Sequence, residues 1–388
     1  MKKGFEMLLI MMVLSIGFFV NLSFGESLTP PGDSIIQLVT IPETEIDNTS
    51  EKKCEIRFFL RKPAKVTCVL LDAYDNKIRS LVKDHKYERG TVSLMWDGKN
   101  NKGELVPVGA YIPIINVVSN DSKLHTYDPR KTTGWKPIAT SKPSYDKEKD
   151  IVSFRTEKPA YVRIRIGHQN GPMYMTLLDW ESLMGKEHQI PWSGLDATEK
   201  IDLSTKPLNF ICQAMSFPEN TLYVTKSPTK SRKSDVPKSF TLKPIENEVV
   251  LDDYARQIAM NSLLYQRSKG ASPRFKVELP KAQDNKDGIP VVSGQTPLKI
   301  IIDERDVGWL ADEHFEMLMF IDDEYYTEEE EGYSPITWPW DTTELEDGLH
   351  LVTIMIQSFK DRIGTHSLQI WVQNDKDTDK VEKEMVKN

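Results

Sequence analysis

Seven histidines, 58 acidic residues, three cysteines and eight tryptophans are the side chains with which this 388-residue chain could do chemistry. Their spacing assembles no familiar reaction centre. The histidines stand at 85, 125, 168, 188, 314, 350 and 366, with no His-Glu-x-x-His or His-x-His pair to hold zinc on one face. Gly-x-Ser-x-Gly, the strand-to-helix elbow of many hydrolases, is missing, as are a phosphate loop and a dinucleotide fingerprint. Ser80-Leu81-Val82-Lys83 fits a Ser-x-x-Lys pattern, but it sits on an expected strand without companion motifs and reads as a surface serine. The sequence therefore assigns no catalytic residue, no metal ligand and no cofactor.

Carboxylates and aromatics are the next suspects. Asp322-Asp323-Glu324 and Glu328 to Glu331 flank Tyr325-Tyr326. Calcium needs several oxygens converging on one point, which adjacent side chains in a run do not supply. They read as a solvated acidic loop. Asp284 to Gly288 is similar to a calcium loop but has a lysine and no distal glutamate. Asp341 and Asp347 read as turn-capping residues. Trp338 and Trp340 alternate along an extended stretch and so share one face, which reads as core in preference to a glycan platform. Asn48-Thr49-Ser50 and Asn120-Asp121-Ser122 match the acceptor pattern for N-glycosylation.

The N-terminus bears on location. Lys2 and Lys3 precede an apolar run, Met7 to Val20, and Ser23-Phe24-Gly25 places small residues before Glu26. This is the layout of a cleaved secretory signal over 1–25. The run is shorter than the roughly 20 residues that span a bilayer, and no second long apolar run follows. Export permits disulfides, yet Cys54, Cys68 and Cys212 are too few for a disulfide-built scaffold, and free thiols are expected. The net charge of −8 argues against a general nucleic-acid binder.

Positioning these residues falls to short strands. From Cys54, Ile56, Phe58 and Leu60 alternate with polar residues, as do Val66, Cys68 and Leu70. Such alternation marks half-buried antiparallel strands. Arg61 to Ala64 reads as the hairpin loop between them. Ile78 to Val82, Val92 to Trp96 and Tyr111 to Val118 follow, with turns at close spacing, which indicates a β-sandwich over 51–120. Phe59 to Val66 with its Pro63-Ala64 turn, then Trp96-Asp97-Gly98, Gly103 and Pro107-Val108-Gly109-Ala110-Tyr111, resemble the immunoglobulin-like domain of flagellar hook-capping (FlgD-type) proteins. The resemblance implies a fold and no flagellar role.

Two of these signatures recur 96 residues later. Lys62-Pro63-Ala64-x-Val66 returns as Lys158-Pro159-Ala160-x-Val162, and Trp96-x-Gly98 as Trp192-x-Gly194. A second, degenerate sandwich is expected over 148–226. Residues 26–50 are rich in proline and acidic residues and read as a linker or leading strand. Residues 227–294 read as another linker, carrying a short helix near 252–268 capped by Asp252-Asp253. Trp340-Asp341 and Asp347-Gly348-Leu349-His350 resemble bacterial immunoglobulin-like and fibronectin-III-like domains, which implies a third sandwich over 295–375 before a charged tail, 376–388. In such domains a tyrosine after the Asp-Gly turn ties back to the backbone, and His350 holds its place.

The expected fold is all-β, tandem immunoglobulin-like β-sandwiches with one short helical connector. The expected function is non-enzymatic: a structural, adhesive or scaffolding role at a cell envelope or in an extracellular assembly. Protein partners are expected, with glycans as the alternative ligand class, no nucleic acid and no membrane span after signal cleavage.

Overall fold

A computed structural model describes residues 34–50, 52–229, 272–284 and 288–374. The signal segment, the helix expected near 252–268 and the charged tail lie outside the described residues. What is described is all-β, as the alternation requires.

The first sandwich uses β1 (Ile36–Thr40), β2 (Glu45–Asp47), β3 (Cys54–Leu60), β4 (Ala64–Asp72), β5 (Lys77–Tyr87), β6 (Gly90–Trp96), β7 (Gly109–Ser119) and β8 (Leu124–Tyr127). Cys54, Ile56, Phe58 and Leu60 face inward on β3, and Ala64, Val66, Cys68 and Leu70 on β4, so the two strands meet across the core. They are not a hairpin. β3 lies between β1 and β6, while β4 lies between β5 and β7 in the opposite sheet. Pro63 sits at the corner where the chain changes sheets, because both strands must bury their alternate residues in one interior.

The second sandwich follows a one-turn helix, Pro129–Thr132, and uses β9 (Ser144–Asp146), β10 (Ile151–Arg155), β11 (Ala160–His168), β12 (Met173–Leu183), β13 (Glu187–Pro191) and β14 (Leu208–Ser216). Its sheets run β13-β10-β9 and β12-β11-β14. The 96-residue repeat extends far beyond the two signatures. β4 and β5 shifted by 96 coincide with β11 and β12. The irregularities at Val66/Cys68, Cys68/Val69 and Leu70/Leu71 recur at Val162/Ile164, Ile164/Arg165 and Ile166/Gly167. Bulges bend and twist a strand pair, so the two sandwiches share curvature as well as order.

Two expected boundaries fall elsewhere. Residues 26–50, read as a linker or leading strand outside the sandwich, supply two of its strands, since β1 pairs with β3 and β2 lies in the other sheet. The chain's exit from the second sandwich, β15 (Leu222–Lys226), returns to the first, antiparallel to β7 and parallel to β2. The second sandwich is thus threaded between two strands of the first. Leu222 and Val224 are fully buried in the first core, which is the force that draws β15 back.

The third sandwich starts earlier than 295. β16 (Phe275–Glu278), β17 (Gln283–Asp284), β18 (Pro290–Val292), β19 (Gln295–Ile302), β20 (Phe315–Ile321), β21 (Glu324–Glu329), β22 (Ile336–Asp341), β23 (Gly348–Ser358) and β24 (Ile363–Val372) form sheets β16-β19-β22 and β17-β18-β24-β23-β20-β21. A helix not anticipated from sequence, Glu304–Glu313, joins β19 to β20. Asp303 caps it by accepting from the Arg305 amide, and Leu310 anchors it in the core.

Candidate functional site

The signature residues close turns at the ends of the sandwiches. Trp96 is fully buried, donates its indole N–H to the Lys99 carbonyl at 2.9 Å, and packs against the Tyr111 ring at 5.1 Å. Asp97 accepts from the Lys99 amide at 3.2 Å. Gly98 and Gly103 take φ of +69° and +79°. Tyr111, two residues into the strand that Gly109 opens, donates its hydroxyl to the Pro107 carbonyl at 2.8 Å. In the second copy Trp192 donates to the Leu195 carbonyl, also at 2.9 Å, and Gly194 has φ +82°. Pro159 and Ala160 again stand where a strand of the central sheet begins, with Ala160 fully buried.

In the third sandwich Trp340 is buried and Asp341 caps a 3-10 turn, Thr342–Glu344, by accepting from the Thr343 amide. Asp347 accepts from the Asn374 amide at 2.8 Å, and Gly348 opens β23. His350 Nε2 pairs with the Glu346 carbonyl at 2.8 Å, four residues back, as Tyr111 does with Pro107. Its Nδ1 lies 2.6 Å from an Asp322 carboxylate oxygen. Burial pulls the imidazole pKa down, but the Glu346 carbonyl and Asp322 prevail and hold it above its ordinary value.

These turns lie apart from one another, and the groups that do converge are ones the sequence reading passed over. Asn48 donates to the carbonyls of Gly98 (3.2 Å) and Val106 (3.0 Å), while its amide binds Lys226 O, so it locks the Trp96 turn to β15. That occupies the side chain the first glycosylation pattern would modify. Asn120 of the second pattern is exposed. Arg163 and Arg165, 7% and 8% exposed in their side chains, face the β23–β24 turn of the third sandwich. Asp361 in that turn accepts from Arg165 at 2.7 Å and also pairs with Arg163, whose guanidinium lies 4.6 Å over the Trp180 ring. Burial raises the Asp361 pKa, but Arg165 and Arg163 outweigh it and leave the carboxyl below its ordinary value.

Asp323 completes the seam. It accepts from Tyr174 and Lys206, each at 2.5 Å, so Asp322 and Asp323 act as ties and are not merely part of a solvated loop. Met173 packs with Leu318, Phe320, Met355 and Ile363 across the same boundary. A signal for the arginines did exist. They alternate with Val162, Ile164 and Ile166, a pattern that puts two cations on one face of a strand whose other face is core.

The remaining chemical suspects are placed as follows. Cys54 and Cys68 are free, in opposite sheets, and burial pushes their thiols up to about 11 and about 12. Cys212 is free as well, raised by burial to about 11. Thiols so raised are poor nucleophiles. The Ser80 amide donates to Asn101 on the edge of β5. Among the described residues no group of three or more His, Cys, Asp or Glu is placed to hold a metal ion. Trp135 stacks on Tyr161 at 4.7 Å inside the molecule, whereas Trp371 is 41% exposed beside Leu349.

No protein-family profile and no curated protein matches the chain. Three solved structures share parts of it at low similarity. FlgD of P. aeruginosa is 18% identical, with 30% of this chain and 84% of that one covered at TM-score 0.20. The fibronectin(III)-like modules of Clostridium thermocellum CbhA are 10% identical, covering 87% and 95%, at 0.19. A tetra-tandem repeat from the extending region of a large adhesion protein is 12% identical, covering 88% and 74%, at 0.20.

Proposed function

We propose that the chain is an exported, non-enzymatic scaffold or adhesive protein of a cell envelope or extracellular assembly. One observation carries this reading. The residues with chemistry in them are spent on holding parts together: Asn48 locks β15 into the first sandwich, while Asp361 between Arg163 and Arg165, and Asp323 between Tyr174 and Lys206, join the second sandwich to the third. A molecule that uses its buried polar groups this way holds its parts in fixed relation, which is what a spacer or adhesive stalk requires. Export is supported by the basic residues and apolar run that precede Glu26. N-terminal sequencing of the exported protein tests it, with Glu26 as the expected first residue. A pull-down from the native envelope tests the role, and recovery of a defined protein partner is the expected result.

A second reading, carbohydrate binding within a polymer-degrading complex, draws on Trp371. Its exposed ring lies between Leu349 and Val291 in register on neighbouring strands, a flat apolar strip of the kind on which sugar rings stack. A glycan array on the wild-type chain and on Trp371→Ala separates the two, since only the carbohydrate reading expects binding that the substitution abolishes.

A further inference from the structure

Two of the sheet edges among the described residues, one in the first sandwich and one in the third, carry opposite charge. β5 closes the larger sheet of the first sandwich, and β21 closes the larger sheet of the third. Neither has a strand on its outer side among the described residues. The start of β5 is covered, because the Asn101 amide donates to the Ile78 carbonyl and the Asn101 side chain accepts from the Ser80 amide. Leu81 to Tyr87 continues beyond that cover.

Lys83, Asp84 and Lys86 are exposed on this stretch, and Glu88 and Arg89 follow it, with Lys86 Nζ 3.6 Å from Glu88, so the stretch keeps one net positive charge. Beside β21 and the residues after it stand Glu324, Glu328, Glu329, Glu330 and Glu331, with no cation within ion-pair distance of any of them among the described residues. Their field is felt by Glu316 on the adjacent strand. Burial lifts its pKa first, and Glu328 and Glu330 lift it further.

Charges on an open edge repel a second copy of the same edge, and proteins use them to prevent self-pairing. Here that protection works against β5 on β5 and against β21 on β21. It does the reverse for the mixed pair, where lysines would face glutamates across new backbone hydrogen bonds. We propose that copies of this chain associate head to tail, β5 of one against β21 of the next. Such a contact uses two different surfaces, so it propagates instead of closing as a two-fold dimer. One strand pair buries little area, and each contact is weak and sensitive to salt. The partner so named is a second copy, and the inference deepens the scaffold reading on which it rests.

Sedimentation velocity on the purified full chain tests it. At about 0.01 M salt, where the Debye length is about 30 Å, the mean mass rises with protein concentration. At about 1 M, where that length is about 3 Å, the chain is a monomer. The variants Lys83→Glu/Lys86→Glu and Glu328→Lys/Glu329→Lys/Glu330→Lys each weaken association at least about tenfold at low salt. Mixing the two variants restores it, because each then presents edges complementary to the other's. That rescue separates a lost contact from a misfolded variant. A wild-type chain that stays monomeric at low salt, association unmoved by either variant, or a mixture that fails to recover overturns the proposal. Because only the purified chain is used, such a failure leaves the outcome of the envelope pull-down untouched.

Discussion

At the scale of single residues, Gly98 and Gly194 show how one signature carries unequal loads. A Cβ at Gly98 would lie 1.9 Å from Asn48 Oδ1, and at Gly194 2.9 Å from Ser204 Cβ and Tyr145 Oη. Both positions have positive φ, which a side chain strains by about 1–2 kcal/mol. Gly98→Ala should therefore cost about 3 kcal/mol, since Asn48 must also release two carbonyls, and Gly194→Ala about half as much. Chemical denaturation of the two variants checks the order, and equal losses would remove Asn48 from the account. His350 offers a pH test. Its folded pKa is raised, so its contribution is full below about 6.5 and is lost as pH rises through the folded value. His350→Phe should lower stability by about 1 kcal/mol at pH 5.5, and by less at pH 8.5. Melting curves of both proteins across that range measure it, and a pH-independent difference would show that the imidazole charge does not matter.

At the scale of elements, the alternation in β3 and β4 made their faces legible, because period-two burial is written directly in residue type. Their pairing was not legible. A short loop such as Arg61 to Ala64 serves a hairpin or a sheet-crossing corner equally well, and only the shared core decides. The helix Glu304–Glu313 escaped notice because ten residues between two apolar strands give little periodicity, although Asp303 and Asp306 marked its first turn. β15 falls inside residues 148–226, expected as the second sandwich, yet belongs to the first, for a related reason. Sequence neighbours usually pair, and Leu222 to Lys226 instead crosses back over the whole second sandwich. Its placement between β2 and β7 makes it indispensable to the first sheet. Val224→Pro removes a backbone donor in mid-sheet, and a loss of about 3 kcal/mol or more is expected. Hydrogen exchange should then quicken in β2 and β7 while β19 and β22, in the third sandwich, keep their protection. Unchanged exchange in β7 would mean that β15 merely rests against it.

At the scale of the whole molecule, composition and the 96-residue repeat told of several small cores, but not of how they are joined. Joining depends on contacts remote in sequence, such as Asp361 with Arg163 and Arg165, and no local pattern encodes which turn will meet which strand. The seam between the second and third sandwiches is accordingly where a single substitution should have an effect larger than its locality suggests. Asp361→Ala leaves two buried guanidiniums without their carboxylate. A fully buried pair so broken loses about 3–5 kcal/mol, and because the Asp361 side chain is 45% exposed, about 2 kcal/mol is expected here. Hydrophobic contact of Met173 with Leu318 and Phe320 remains, so both sandwiches should stay folded while their coupling weakens. Calorimetry should resolve two transitions where the wild type shows the second and third sandwiches melting together. Acid should reproduce the effect in the wild type. The Asp361 pKa is depressed in the folded state, so its contribution is complete above about 3.8 and disappears as pH falls through the lower folded value. If the variant melts as the wild type does at neutral pH, the ion cluster is decoration and the apolar seam alone holds the two sandwiches together.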